Sequence, residues 1–201
     1  MSSSKKLDDL IAALQVMPGI GPVSATRIAY YLLDHRRADG LRLSSVLKDS
    51  LEAIALCPDC RNYSDGGAER CALCSDSHRR ESGLLCVVES PMDVEAFEHA
   101  GSFSGTYFVL HGHLSPIDGI GPEELGLGVL KQRLESGTVS ELILAVSQSV
   151  DGDATAEYLA AMARRQGVKV SRLATGVPIG GDIQSLDSGT LASSLQFRRQ
   201  L

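Results

Sequence analysis

Residues 141–163 read ELILAVSQSVDGDATAEYLAAMA. Glu141 to Ser147 is a short apolar run that ends at polar breakers, the pattern of a buried strand. Ala154 to Ala163 reads as a helix. Between them lies a turn in which Asp151 and Asp153 flank Gly152. A strand that leads directly into a helix predicts an α/β unit. Open α/β sheets place their ligands at the carboxyl ends of the strands. The acidic pair is therefore expected where a metal, a substrate or a partner would be met.

The same alternation extends from Gly83 onward. LLCVVE (84–89) reads as a strand, and Ser90 and Pro91 cap and start a helix. TYFVLHG (106–112) is a second strand. A long loop, HLSPIDGIGPEELGLG, leads into a helix around 122–135, and VKVSRLA (168–174) is a fourth strand after ELILAV. Such alternation implies a mostly parallel sheet with helices packed on it. The tail from Gly176 is Gly/Ser-rich, with a short helix expected at 189–196. Before Gly83 the texture is helical. Leu7, Leu10, Ile11 and Leu14 have helical spacing, so 6–16 is an amphipathic helix. Pro18, Gly19, Gly21 and Pro22 force a hairpin. Ser24 is expected to cap a second helix through Leu33, and a third covers Ser44 to Leu56 with Val46, Leu47, Leu51 and Ile54 inward. The fold class is α+β and multidomain: a helix-hairpin-helix region (1–55), a cysteine-rich segment (56–79), an α/β domain (80–175) and a tail segment (176–201).

Composition narrows the function. No apolar run approaches the roughly 18 residues of a membrane helix. MSSSKKLDDL has no apolar h-region, so no signal peptide is expected and the location is cytoplasmic. The formal charge is −6. Residues 1–83 carry 11 basic and 11 acidic side chains, and residues 84–201 carry 8 and 14. An acidic second part repels phosphate, so a nucleic-acid site belongs in the first part, with weak binding per copy.

The hairpin fits that role. Gly19 and Gly21 let the backbone turn tightly and approach a ligand without a Cβ. Amides at the start of the following helix point at a phosphate. Arg27, one turn later, adds charge. Such contacts go to the backbone and carry no base information. An ordinary helical hairpin would use the same glycines and prolines without binding DNA.

Cys57-Pro-Asp-Cys60 and Cys71-Ala-Leu-Cys74 are two C-x₂-C pairs separated by ten residues. Each pair bites one metal, and two pairs complete a tetrahedral site. Four thiolates leave no open position, so one structural Zn²⁺ per chain is expected. The intervening RNYSDGGAER cannot build a core, and the alternative, disulfides, is disfavoured in a cytoplasmic chain. His78 is not needed as a ligand. Cys86, in an apolar strand, is a small buried hydrophobe.

The order of these parts, with CVVESPMDVEAFE and SGTYFVLHGHLSPIDGIGPEELG, closely resembles the bacterial recombination mediator family RecR, over about Leu7 to Leu195. The resemblance implies that the α/β part is a Toprim domain. Glu89 then matches the glutamate that closes the first Toprim strand, and Asp151 and Asp153 match the later D-x-D. It further implies a protein that acts with RecO, and in some systems RecF, to load RecA onto single-stranded DNA coated by SSB. It implies assembly into a ring-like tetramer through the terminal regions, and a Walker-B-like segment around Gly180 to Asp187. Two departures stand out. Val23 occupies a position where the family often has Lys, so Arg27 must carry more. Ser147-Gln148-Ser149 replaces the usual Asn-Pro-Thr, and Asp151 the usual Glu.

The rival reading is a Mg²⁺-dependent Toprim enzyme of phosphoryl transfer. Three carboxylates suit a hard cation, but no nucleophile stands out: Tyr107 falls in a strand and Tyr158 on a helix. An ATPase is excluded, because no Gly-Lys dipeptide and hence no P-loop occurs. The expectation is a non-enzymatic DNA-binding mediator. Its acidic residues Glu89, Asp151 and Asp153 would dock a partner and at most hold Mg²⁺ weakly.

Overall fold

A computed structural model describes residues 4–66, 69–174, 176–178 and 180–198. The chain forms two compact units, the first ending at Ile54.

The first unit holds α1 (Lys5–Leu14), α2 (Pro22–His35) and α3 (Arg37–Ala53). Leu14, Ala25 and Ala29 are its buried centre, with Leu7, Leu10, Ile11, Ile20 and Ile28 packed around them. The heptad-like spacing of α1 thus does what it promised. Helix α2 starts earlier than Ser24: Gly21 is its N-cap and Pro22 its first residue. Proline's fixed φ suits that position, and its missing N–H is no loss there. Helix α3 begins at Arg37 instead of Ser44 and buries no residue. Val46, Leu47, Leu51 and Ile54 are exposed, Leu51 to 75%. The periodicity marks an apolar face correctly, but none of the described residues buries it.

Strand β1 (Ile54–Leu56) begins on the last residue of the first unit and pairs with β2 (Tyr63–Asp65) of the second, where α4 (Ala72–Ser75) and α5 (Ser77–Glu81) follow. Next come β3 (Leu84–Val88), α6 (Pro91–Ala100), β4 (Thr106–Val109), α7 (Leu127–Glu135), β5 (Glu141–Ala145), α8 (Val150–Arg165) and β6 (Lys169–Arg172). The four long-range strands form one parallel sheet in the order β4-β3-β5-β6. Strands β3 and β4 are covered on both faces, which is why they read as unbroken apolar runs. One face packs Leu85, Val87, Phe108 and Leu142 against Leu130 and Leu159 of α7 and α8. The other packs Cys86, Val88, Tyr107 and Val109 against Val94 and Phe97 of α6. A 3-10 turn (Ile183–Ser185) and α9 (Ser188–Gln196) make up the tail.

The chain leaves β3 toward β4 and then crosses to β5 on the other side, so the direction of winding reverses between β3 and β5. Ligand crevices of open α/β sheets lie at such a reversal, at the carboxyl ends. Glu89 follows β3 and Asp151 follows β5. Helix α8 starts at Val150, four residues before Ala154, so both aspartates lie in its first turn and not in the connecting turn. The Ser149 side chain accepts from the Gly152 amide at 3.0 Å and starts the helix there. Among the described residues no helix is long and apolar enough to cross a membrane.

Candidate metal centre, phosphate hairpin and acidic strand ends

The four cysteine Sγ atoms of Cys57, Cys60, Cys71 and Cys74 lie within 4.8 Å of one another. Cys60 and Cys71 are 3.5 Å apart, and all four are free thiols. A tetrahedral metal–thiolate bond of about 2.3 Å places sulfurs about 3.8 Å apart, whereas a disulfide needs about 2.05 Å. The donor set therefore fits a metal. The knuckle also supplies N–H donors to sulfur: Asn62 N to Cys60 Sγ and Cys71 N to Cys57 Sγ, each 3.4 Å. Hydrogen bonding from Cys74 lowers the Cys60 thiol to about 6, burial pushes Cys71 up to about 11, and the hydrogen bond with Cys60, with burial behind it, raises Cys74. Metal binding by four such groups releases their thiol protons. His78 is the second residue of α5, its backbone N–H bonded to Asp76, and stands outside the metal-ligand group.

In the hairpin, Gly19 has φ +82°, which only glycine adopts readily, and Gly21 is extended at φ −84°. No side chain caps α2, so its first amides remain available to an external acceptor. Arg27 is exposed and has no ion-pair partner among the described residues. These are the three residues read from the sequence as the phosphate contact.

The acidic residues meet protein groups individually. Glu89 Oε1 accepts the Ser147 N–H at 2.9 Å, so the end of β3 ties down the end of β5. Asp153 Oδ1 accepts from Arg172 Nη1 at 2.7 Å, and Arg172 Nη2 donates to the Ser147 carbonyl at 2.8 Å. Asp151 faces His113 at 3.8 Å. Both aspartates gain from the amino-terminal end of α8. Among the described residues the only group of three or more ligands within 4.8 Å is the four cysteines. Glu89, Asp151 and Asp153 lie at the carboxyl ends of the neighbouring strands β3 and β5 and are not such a group.

Three family models match the chain. Residues 7–51 match the RecR helix-hairpin-helix, 83–174 the Toprim domain and 176–199 the RecR C-terminal region. The chain belongs to the RecR family. The four clustered cysteines of this RecR protein, Cys57, Cys60, Cys71 and Cys74, lie between the first two matched stretches. Tyr107, one of its two Toprim tyrosines, is buried; its hydroxyl donates to Glu98 Oε1 at 2.6 Å, and burial raises its pKa. Glu98 in turn takes both Arg79 Nη atoms at 2.9 and 2.7 Å.

Sequence reasoning missed Arg172. Its position at the end of a strand adjacent to β5 was the available signal, but the pairing spans nineteen residues and needs the strand order. It also passed over the reason for Gly152. A Cβ there would overlap the Ser147 carbonyl, so the glycine lets α8 start hard against the end of β5. Gly152→Ala in this RecR protein is expected to cost about 1–3 kcal/mol through overpacking. Urea unfolding of the variant measures it, and an unchanged midpoint would show that α8 can move away freely.

Proposed function

We propose that this RecR protein is a non-enzymatic DNA-binding mediator of recombinational repair, held together by one structural Zn²⁺ per chain. In this reading the hairpin residues Gly19, Gly21 and Arg27 grip phosphates. The carboxyl end of the Toprim sheet docks RecO, with RecF as a further partner, and RecA loading on SSB-coated single strands follows from that assembly. Zinc is the choice for the metal because four thiolates and tetrahedral spacing suit it and close the coordination sphere.

The observation that carries the docking reading is the engagement of the Toprim carboxylates. Asp153 is held by Arg172 and Glu89 by a backbone N–H, and Asp151 keeps half of its side chain in solvent. A two-metal or one-metal phosphoryl-transfer site would need these oxygens converging on one ion, and a nucleophile beside them. Mg²⁺ is at most weakly held here. Exposed carboxylates at a sheet end instead suit basic residues of a partner. Self-association of copies into a ring is supported by the uncovered apolar face of α3 and by exposed Leu195 and Phe197 in the tail. Pooling several hairpins around one strand raises avidity without new contacts, which reconciles DNA binding with a net acidic chain.

The test combines two assays. Wild-type protein with Mg²⁺ and labelled DNA is expected to leave the DNA intact. Charge reversal at Asp151 and Asp153 is expected to weaken RecO binding roughly tenfold at low salt and less at high salt, as screened attraction requires. The single variant Asp151→Lys keeps the Arg172–Asp153 pair and separates docking from local structure. Cleavage that vanishes in the double variant would restore the enzyme. Undiminished RecO binding would remove the docking site.

A further inference from the structure

The first cysteine knuckle is bonded to the Toprim domain through three successive carbonyls. Asp59 O accepts from Arg133 Nη1 at 3.0 Å, Cys60 O from Val109 N at 2.8 Å, and Arg61 O pairs with His111 Nε2 at 2.6 Å. Arg61 has φ +60° and His111 φ +59°, two non-glycine residues in the left-handed region. Such conformations persist only where the surroundings over-determine them. The surroundings of Arg61 are the knuckle itself: its N–H donates to Cys57 O at 2.8 Å.

The Arg61 side chain then crosses to the segment 112–126. Nη2 donates to Glu124 O at 3.2 Å, and a Cβ on Gly126 would overlap the guanidinium. Gly126, at φ +65°, is the N-cap of α7. At its other end the same segment reaches the acidic strand end. Leu114 N donates to Thr155 Oγ1 at 2.9 Å, which donates to Asp151 O at 2.7 Å. Between these anchors the segment is closed by a Ser115–Ile120 bridge, with Ser115 buried and Ile117 fully presented at the tip.

We infer that Arg61 is a positioning residue that carries the geometry of the Cys₄ centre to segment 112–126. The carboxyl end of the sheet therefore takes its binding shape only while the knuckle is closed on a metal. The inference rests on the docking reading above for its consequence, but not for its structural content. Opening the knuckle frees the Cys57 carbonyl from the Arg61 N–H, lets Arg61 leave the left-handed region and withdraws its guanidinium from Glu124 and Gly126. Ile117 and the surroundings of Asp151 then lose one of their two anchors. The first unit, with its hairpin, is not part of this path.

Hydrogen exchange of the full chain, read by mass spectrometry, tests the link. Arg61→Ala is expected to keep one zinc by elemental analysis while exchange across 112–126 quickens about tenfold, the effect of one or two lost hydrogen bonds. Exchange in β3 and β5 stays as in the parent. Arg61→Lys recovers part of the protection, because an ammonium can still donate to the Glu124 carbonyl. Gly126→Ala, outside the metal segment, loosens the same peptides, and its added effect is smaller in the Arg61→Ala background, where the overlapping guanidinium is gone. Wild-type protein stripped by chelator exchanges like Arg61→Ala in this segment. Parent-like protection of 112–126 in Arg61→Ala or in the stripped protein would overturn the link. A loosened segment with unchanged RecO affinity would leave the link standing and sink the docking reading instead.

Discussion

Replacing Cys57 and Cys60 together with Ser is expected to abolish metal binding and to unfold the cysteine segment. Among the described residues the segment has no other core: its buried residues are Cys57, Cys60 and Cys74, with Cys71 packed beside them. Structural zinc contributes about 10–16 kcal/mol in small zinc peptides near neutral pH, comparable to the whole stability of a typical domain. The Toprim core, centred on Leu85, Phe108 and Leu142, does not include these thiols, so the loss should be large but not total. If about 3–5 kcal/mol of that loss reaches the Toprim domain, the melting temperature falls on the order of 10 °C, at roughly 2–4 °C per kcal/mol for a chain of this size. Elemental analysis should find about one zinc per parent chain and none in the variant. Acidification should act in the same direction, since Cys71, raised by burial, and Cys74, raised by its hydrogen bond with Cys60 and by burial, must give up protons to bind metal. A metal-free variant that melts like the parent would show that the knuckles fold without an ion.

What the sequence revealed follows from which interactions are local. The apolar runs of β3 and β5, the α1 stripe Leu7, Leu10, Ile11 and Leu14, and the paired C-x₂-C spacings are short-range patterns, and the fold uses each as read. Ser90 also behaves as its position suggests, closing a capping box with Asp93. The start of α8 was misjudged because a Ser cap three residues before a glycine competes with the breaker signal of Ser-Gln-Ser. The apolar stripe of α3 shows a limit of another kind. Periodicity tells that a face seeks burial but not which surface covers it, and in this chain no residue of α3 is buried. The acidic site was legible in its residues and not in its geometry. Arg172, the Ser147 amide and His113 reach the carboxylates from three other segments, and only the strand order brings them there. Arg61 and Gly126 were invisible for the same reason: each looks like an ordinary loop residue until the knuckle is laid against the segment before α7.

Arg27→Ala is expected to weaken DNA binding for every sequence alike and to flatten its salt dependence. One lost phosphate contact lowers the slope of log affinity against log salt by about 0.9. A ring of four copies on one duplex would lower it by roughly four times that, with an affinity loss of 10²-fold or more, because the copies lose their contacts together. The size of the change in slope therefore also reports how many hairpins engage one DNA. Val23 offers no second cation at the hairpin, and the acidic second unit works against compensation by long-range attraction. Gly21→Ala separates DNA contact from folding. Gly21 is extended, and a Cβ there would meet nothing within 4 Å among the described residues. The free protein should be as stable as the parent, yet the methyl group would stand where a phosphate approaches the α2 amides. Gly19→Ala is the contrasting variant, since φ +82° makes any side chain strained and lowers stability as well. Titrations of labelled DNA at several salt concentrations, paired with melting curves of the same samples, distinguish the three. If Gly21→Ala and Arg27→Ala both bind as the parent does at every salt concentration, the hairpin is a structural turn and the phosphate contact lies elsewhere.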